Sequence, residues 1–109
     1  MVQAIGPREA HQLIEAGDVD VIDVREPHEW SGGHLCGARL VPLAQLRGNP
    51  RAAIQRDGVI FVCAAGVRSD TAARLAASLG FARVYNLTGG TRAWVRAGLP
   101  LVNELSVAV

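Results

Sequence analysis

Cysteine is scarce in this chain, with only Cys36 and Cys63, and that scarcity excludes a fold stapled together by disulfides. Surplus charge is missing too. Eleven basic and ten acidic residues leave a formal net charge of +1, too weak a field to gather nucleic acid or anionic lipid, so any anion must be bound locally. Uncharged stretches fall far short of the ~20 apolar residues of a membrane span. The N-terminus carries no basic segment leading into an apolar one. These absences predict a cytoplasmic protein without nucleic-acid or membrane partners. Internal repeats, linkers and low-complexity segments are also absent.

What is present suits one compact domain over residues 1–109. Half the residues are hydrophobic and 19% are charged, enough apolar material for a single core. Pro7 stands where a first helical residue would, Ala10, Leu13 and Ile14 follow at helical spacing, and Gly17 supplies a stop, which predicts a helix over 7–16. Val19 to Val24 is short, β-branched and almost wholly apolar, as in a strand buried on both faces of a parallel sheet. Glu26 to Gly37 reads as loop with a turn of helix around Glu29 and Trp30, and Leu40-Val41 as a minimal strand. A weaker helix is expected over Leu43 to Gln55, interrupted near Gly48 and Pro50.

The second half is better marked. Val59 to Val62 reads as a buried strand, and Ala72, Leu75, Ala76 and Leu79 trace the apolar stripe of the helix after it, ended by Gly80. Val84-Tyr85 is a fourth strand. Gly89-Gly90 opens a helix containing Ala93, Trp94 and Val95, closed by Gly98 and Pro100. Strand and helix alternate throughout, which predicts an α/β fold: a parallel sheet with helices on both faces.

Between the strongest strand and the strongest helix lies Cys63-Ala64-Ala65-Gly66-Val67-Arg68-Ser69. Ligands of open α/β sheets bind beyond the carboxyl ends of the strands, where a tight loop entering a helix turns backbone N–H groups inward as an anion cradle. Ala64, Ala65 and Gly66 are small enough to let the backbone close around a ligand, and Arg68 adds positive charge to that of the helix start. A free cysteine at a strand end is often just a small buried hydrophobe. Inside such a cradle, however, its thiolate accepts N–H bonds, which favour the reactive anion without a neighbouring base.

The rest of the chain gives that loop a context. Asp23-Val24-Arg25-Glu26, Glu29-Trp30, Gly33-His34-Leu35 and Gly37-Ala38 resemble the first signature of the rhodanese family. Asn86-Leu87-Thr88-Gly89-Gly90, Ala93-Trp94 and Ala97-Gly98-Leu99-Pro100 resemble its second. Cys63 to Ser69 takes the place of its active-site loop, and the resemblance covers about residues 3–101. It implies a five-stranded parallel sheet flanked by helices, and a sulfurtransferase in which Cys63 takes a sulfane sulfur from thiosulfate or a persulfide donor. Cyanide or a thiol acceptor then removes that sulfur, and a sulfur-relay protein partner is conceivable. By position Arg68, with Ala64, Ala65, Gly66 and Val67, would bind the substrate or fix the loop. Neither a metal nor an organic cofactor is implied.

Two positions depart from the family's habit. Family loops commonly carry another basic residue where this chain has Ala64, and a polar one at Val67, so thiosulfate is expected to be a poor donor. Cys36 stands where the family usually has proline. Asp23, Arg25 and Glu26 are expected to form ion pairs that anchor their loop, His34 to bond backbone, and Trp30, Tyr85 and Trp94 to serve as packing. A zinc site from His28, His34 and Cys36 lacks any second ligand pair of the usual spacing. Two other functions compete with this reading. A cysteine phosphatase of the same fold needs five residues between Cys and Arg, where this chain has four, and a shorter loop suits a single sulfur better than a phosphate. A non-catalytic interaction module would have no need of Cys63, Gly66 and Arg68 together.

Overall fold

The computed structural model describes residues 1–103. In chain order the elements are β1 (Val2–Ile5), α1 (Pro7–Glu15), β2 (Asp20–Asp23), α2 (Pro27–Ser31), β3 (Arg39–Leu40), α3 (Leu43–Gly48), α4 (Pro50–Ala53), β4 (Val59–Val62), α5 (Val67–Ser78), β5 (Val84–Leu87) and α6 (Gly90–Arg96). The five strands form one sheet in the order β1-β5-β4-β2-β3, and every pairing is parallel. Helices cover both faces, as the alternation of strand and helix predicts.

The period of two along each strand sorts side chains between those faces. Val59 and Phe61 of β4 join Ile22, Leu46, Ala53, Ala72, Ala73 and Ala76 in a core beneath α3, α4 and α5. Ile60 and Val62 point the other way, into a core with Ala10 of α1, Leu35 and Trp94 of α6. All four residues of β4 are fully buried, which is why its sequence is continuously apolar rather than alternating. Burying the four removes their side chains from water at about 1.5–3 kcal/mol each, and this makes β4 a rigid base for whatever follows it.

One strand escapes the reading of apolar runs. Val2–Ile5 lies at the sheet edge beside β5, with Val2 opposite Val84 and Ile5 opposite Leu87. Gln3 and Ala4 are exposed and only Ile5 is buried, so the segment presents no apolar run to read. It becomes a strand because β5 offers it a ladder. Other boundaries move by a residue or two, as where β5 continues through Asn86 and Leu87, while the interruption expected near Gly48 and Pro50 falls at Asn49, between α3 and α4.

Chain paths leaving the carboxyl ends of β2 and β4 diverge, one toward β3 and one toward β5. Such divergence opens a crevice at those strand ends. Asp23 and Cys63 stand on its two sides. No helix among the described residues is long and apolar enough to cross a membrane.

Candidate functional site

Cys63 follows β4 directly and is 1% exposed. The chain then turns through Gly66, whose φ of +96° is readily available only to glycine. That turn aims the Gly66 N–H at Cys63 Sγ, 3.1 Å away. Ser69 Oγ lies 3.3 Å from the same sulfur. The loop is held from the far side by the start of α6, where the Thr91 N–H bonds the Cys63 carbonyl and the Arg92 N–H bonds the Ala64 carbonyl. Contact there is so close that a Cβ on Gly90 would overlap the Cys63 carbonyl oxygen.

Burial pushes the Cys63 thiol up. The Ser69 hydroxyl, which can turn to the sulfur once it is anionic, and the backbone N–H groups of Ser69, Ala65 and Gly66 outweigh it, so the pKa lies below its ordinary value. A buried sulfur facing several N–H donors stabilises negative charge without a histidine. Ala64 contributes a carbonyl that anchors the loop, and Val67 is the exposed first residue of α5.

Arg68 does not present a free charge to the crevice. Its Nη1 and Nη2 bond Oε1 and Oε2 of Glu29 at 2.7 and 2.9 Å, a bidentate pair of the strong kind. The Arg68 guanidinium, bonded to the Glu29 carboxylate, holds it down at a pKa of about 2 and is itself raised above its ordinary value. Because the folded pKa is the lower one, the pair stabilises the fold above the ordinary carboxylate range and is lost only as the pH falls toward 2. The full positive charge expected of Arg68 from its position is therefore neutralised, and its visible work is to fix the loop against α2.

Glu29 is placed by its own helix and by the end of β2. Its Oε1 accepts the Glu26 N–H at 2.9 Å, closing a capping box at the start of α2. The Arg25 guanidinium bonds both carboxylate oxygens of Asp23, the Gly33 carbonyl at 2.7 Å and the Glu29 carbonyl at 3.3 Å. Asp23 and Arg25 are 0% and 5% exposed, so this is a buried anchor for the loop, as their sequence position suggests. His34 bonds the Trp30 carbonyl through Nδ1 and stacks on the Trp30 ring at 3.4 Å. Trp30, Tyr85 and Trp94 are buried. No group of three His, Cys, Asp or Glu among the described residues is arranged to hold a metal ion.

Three members of the site are not singled out by reading the loop alone. Ser69 closes the quoted loop and Glu29 and Asn86 lie within the quoted signatures, but spacing assigns none of them a partner. Asn86 sits on β5, 17 residues beyond Ser69 in sequence, and bonds both Ser69 and Gly66. A polar residue in an otherwise apolar, fully buried strand is the one signal that marks it.

Cys36 is exposed and lines a cavity of about 200 Å³ with His11, Ile14, Glu15, Leu35, Trp94 and Pro100. None of the loop residues from Cys63 to Ser69 borders that cavity. Cys36→Ser is accordingly expected to leave single-turnover sulfur loading of Cys63 unchanged within twofold, checked by quenched-flow mass spectrometry. Loss of loading would place the second thiol in the reaction.

The family model described as Rhodanese-like domain matches residues 6–97. YqhL, an uncharacterized protein of Bacillus subtilis (strain 168), is 42% identical over 74 residues, which cover 68% of this chain. This chain spans only 59% of YqhL. Thiosulfate sulfurtransferase GlpE of Stutzerimonas stutzeri (strain A1501) is 36% identical over 90 residues, covering 83% of this chain and 82% of GlpE. Among solved structures, a rhodanese-related protein from Thermoplasma volcanium superposes with a TM-score of 0.83 at 31% identity, over 94% of this chain and 99% of that one.

Proposed function

Because the chain belongs to the rhodanese-like domain family, we propose that it is a sulfurtransferase that carries a sulfane sulfur as a persulfide on Cys63. The observation that carries this reading is the Gly66 N–H aimed at a buried Cys63 sulfur whose pKa is lowered. With thiosulfate as donor, the Cys63 thiolate attacks the outer sulfur, a new S–S bond forms, and sulfite leaves with the electron pair of the bond that breaks. Cyanide or a thiolate then attacks the terminal sulfur of the persulfide. Thiocyanate or a new persulfide departs, and the Cys63 thiolate returns. The backbone donors stabilise negative sulfur at each stage and need no rearrangement to do so.

The charge balance at the loop favours a thiol persulfide over a dianionic donor. Arg68 is engaged by Glu29, Ala64 supplies no cation, and Val67 places an apolar surface, 74% exposed, at the loop edge. A small-molecule or protein persulfide fits that edge better than thiosulfate. Intact mass spectrometry after incubation with each donor, with and without a reductant, tests the proposal: one reducible sulfur on Cys63 is expected. No adduct from any donor would leave the interaction module as the better reading.

Ala64→Arg should lower the KM for thiosulfate about five- to thirty-fold, corresponding to a charge-assisted bond of about 1 to 2 kcal/mol near a partly solvated anion. Raised salt should shrink the gain, because exposed charges are screened over about 8 to 10 Å. Steady-state kinetics at two ionic strengths measures it. Unchanged thiosulfate kinetics at low salt, with loading by persulfide donors intact, would mean that the backbone donors already suffice.

A further inference from the structure

Four groups close a hydrogen-bonded ring beneath the loop. Cys63 Sγ meets Ser69 Oγ at 3.3 Å, Ser69 Oγ meets Asn86 Oδ1 at 2.6 Å, Asn86 Nδ2 meets the Gly66 carbonyl at 3.1 Å, and the Gly66 N–H returns to Sγ at 3.1 Å. Ser69, Cys63 and Asn86 are 0%, 1% and 7% exposed, so water cannot readily substitute for a missing partner.

Elementary chemistry fixes the direction of each proton. The Gly66 carbonyl can only accept, so the amide nitrogen of Asn86 must face it and Oδ1 must face Ser69. Oδ1 has no proton. Ser69 has one, and it goes to Oδ1 along the shortest contact in the ring. Toward Cys63 the Ser69 oxygen therefore offers a lone pair, which a thiol S–H satisfies and a thiolate cannot. When Cys63 ionises, the hydroxyl either keeps its lone pair against a negative sulfur or turns its proton to the sulfur and leaves buried Oδ1 unpaired. Both costs fall on the anion alone.

We propose that Asn86 is a positioning residue that holds the Ser69 hydroxyl as an acceptor toward Cys63, restrains formation of the thiolate, and yields the hydroxyl only when the sulfur becomes anionic. The backbone N–H groups of Ala65, Gly66 and Ser69 favour the anion in either arrangement. Asn86 thus sets how far the thiol is lowered, rather than whether it is. The charged groups around this ring are Arg68 on α5 with its partner Glu29 on α2, and the Asp23–Arg25 pair at the end of β2. From α6, Thr91 and Arg92 reach the loop through backbone N–H groups. None of these is altered in the variants below. The inference deepens the sulfurtransferase reading, because it concerns the same sulfur, but its test uses no sulfur donor.

The test is the pKa of Cys63, read from the pH dependence of iodoacetamide alkylation in a Cys36→Ser background so that one thiol reports. Asn86→Leu is expected to lower that pKa by about half a unit to one unit, giving roughly three- to ten-fold more thiolate well below the midpoint. With Ser69→Ala already present, Asn86→Leu should change nothing further, because no hydroxyl remains to be held. An unchanged or raised pKa in Asn86→Leu would overturn the inference, and so would an equal lowering in the Ser69→Ala background. Should Asn86→Leu fail to fold, NMR of the side-chain carbonyl carbon of Asn86 decides the matter in the Cys36→Ser protein. Its shift should titrate with Cys63 and lose that dependence in Ser69→Ala, whereas a resonance indifferent to Cys63 ionisation would overturn the inference. If the coupling holds while no donor loads Cys63, the sulfurtransferase reading fails and this one stands.

Discussion

Cys63→Ser is expected to abolish sulfur loading and thiocyanate formation, to the detection limit of intact mass spectrometry and a cyanide-dependent assay. A serine hydroxyl in the same cradle is close in shape but stays protonated across the accessible pH range, and oxygen cannot form the persulfide. The fold should survive, since the packing around a residue 1% exposed barely changes. In the unmodified protein, loading should rise with pH and level off below the ordinary thiol range, because the donors around the sulfur lower its pKa. Transfer at the unmodified rate by Cys63→Ser would show that another group carries the sulfur.

The largest loss of stability is expected from Asp23→Ala. The variant leaves the Arg25 guanidinium 5% exposed among the Gly33 and Glu29 carbonyls without its bonded carboxylate. Removing one partner of a buried ion pair typically costs about 3–5 kcal/mol, because the other charge stays desolvated. For a chain of this size that is a fall in Tm of roughly 10 to 30 °C, measurable by calorimetry. The damage should also reach the loop, since Arg25 holds the backbone of Glu29, and Glu29 holds Arg68. A Tm within about 3 °C of the parent would mean that Arg25 finds water or another acceptor.

Apolar patterning made most of the architecture legible. Val59 to Val62 could be read as a central strand because a strand covered on both faces has no polar side to show. The helix after it showed its stripe of small apolar residues. The edge strand Val2–Ile5 was not legible from that pattern, because one buried residue in four carries no periodic signal and its pairing partner lies some eighty residues away. The family resemblance supplied the fifth strand that the pattern withheld.

The candidate site divides in the same way. Local order in the chain determined that a cysteine would end the central strand and that a glycine-bearing loop would turn into a helix behind it, because strand, turn and helix are each set by neighbours within a few residues. The spacing of Cys63, Gly66 and Arg68 was therefore visible at once. What those groups face was decided by tertiary structure, because charge and hydrogen bonds act through space with no regard for sequence separation. Glu29, 39 residues before Arg68, cancels the cation that the loop spacing predicts. Asn86, 17 residues after Ser69, accepts the proton of the Ser69 hydroxyl. Only the folding of α2, β4, α5 and β5 around one crevice brings each of these groups within 3.3 Å of its partner, and there a buried group must bond whichever neighbour the fold provides.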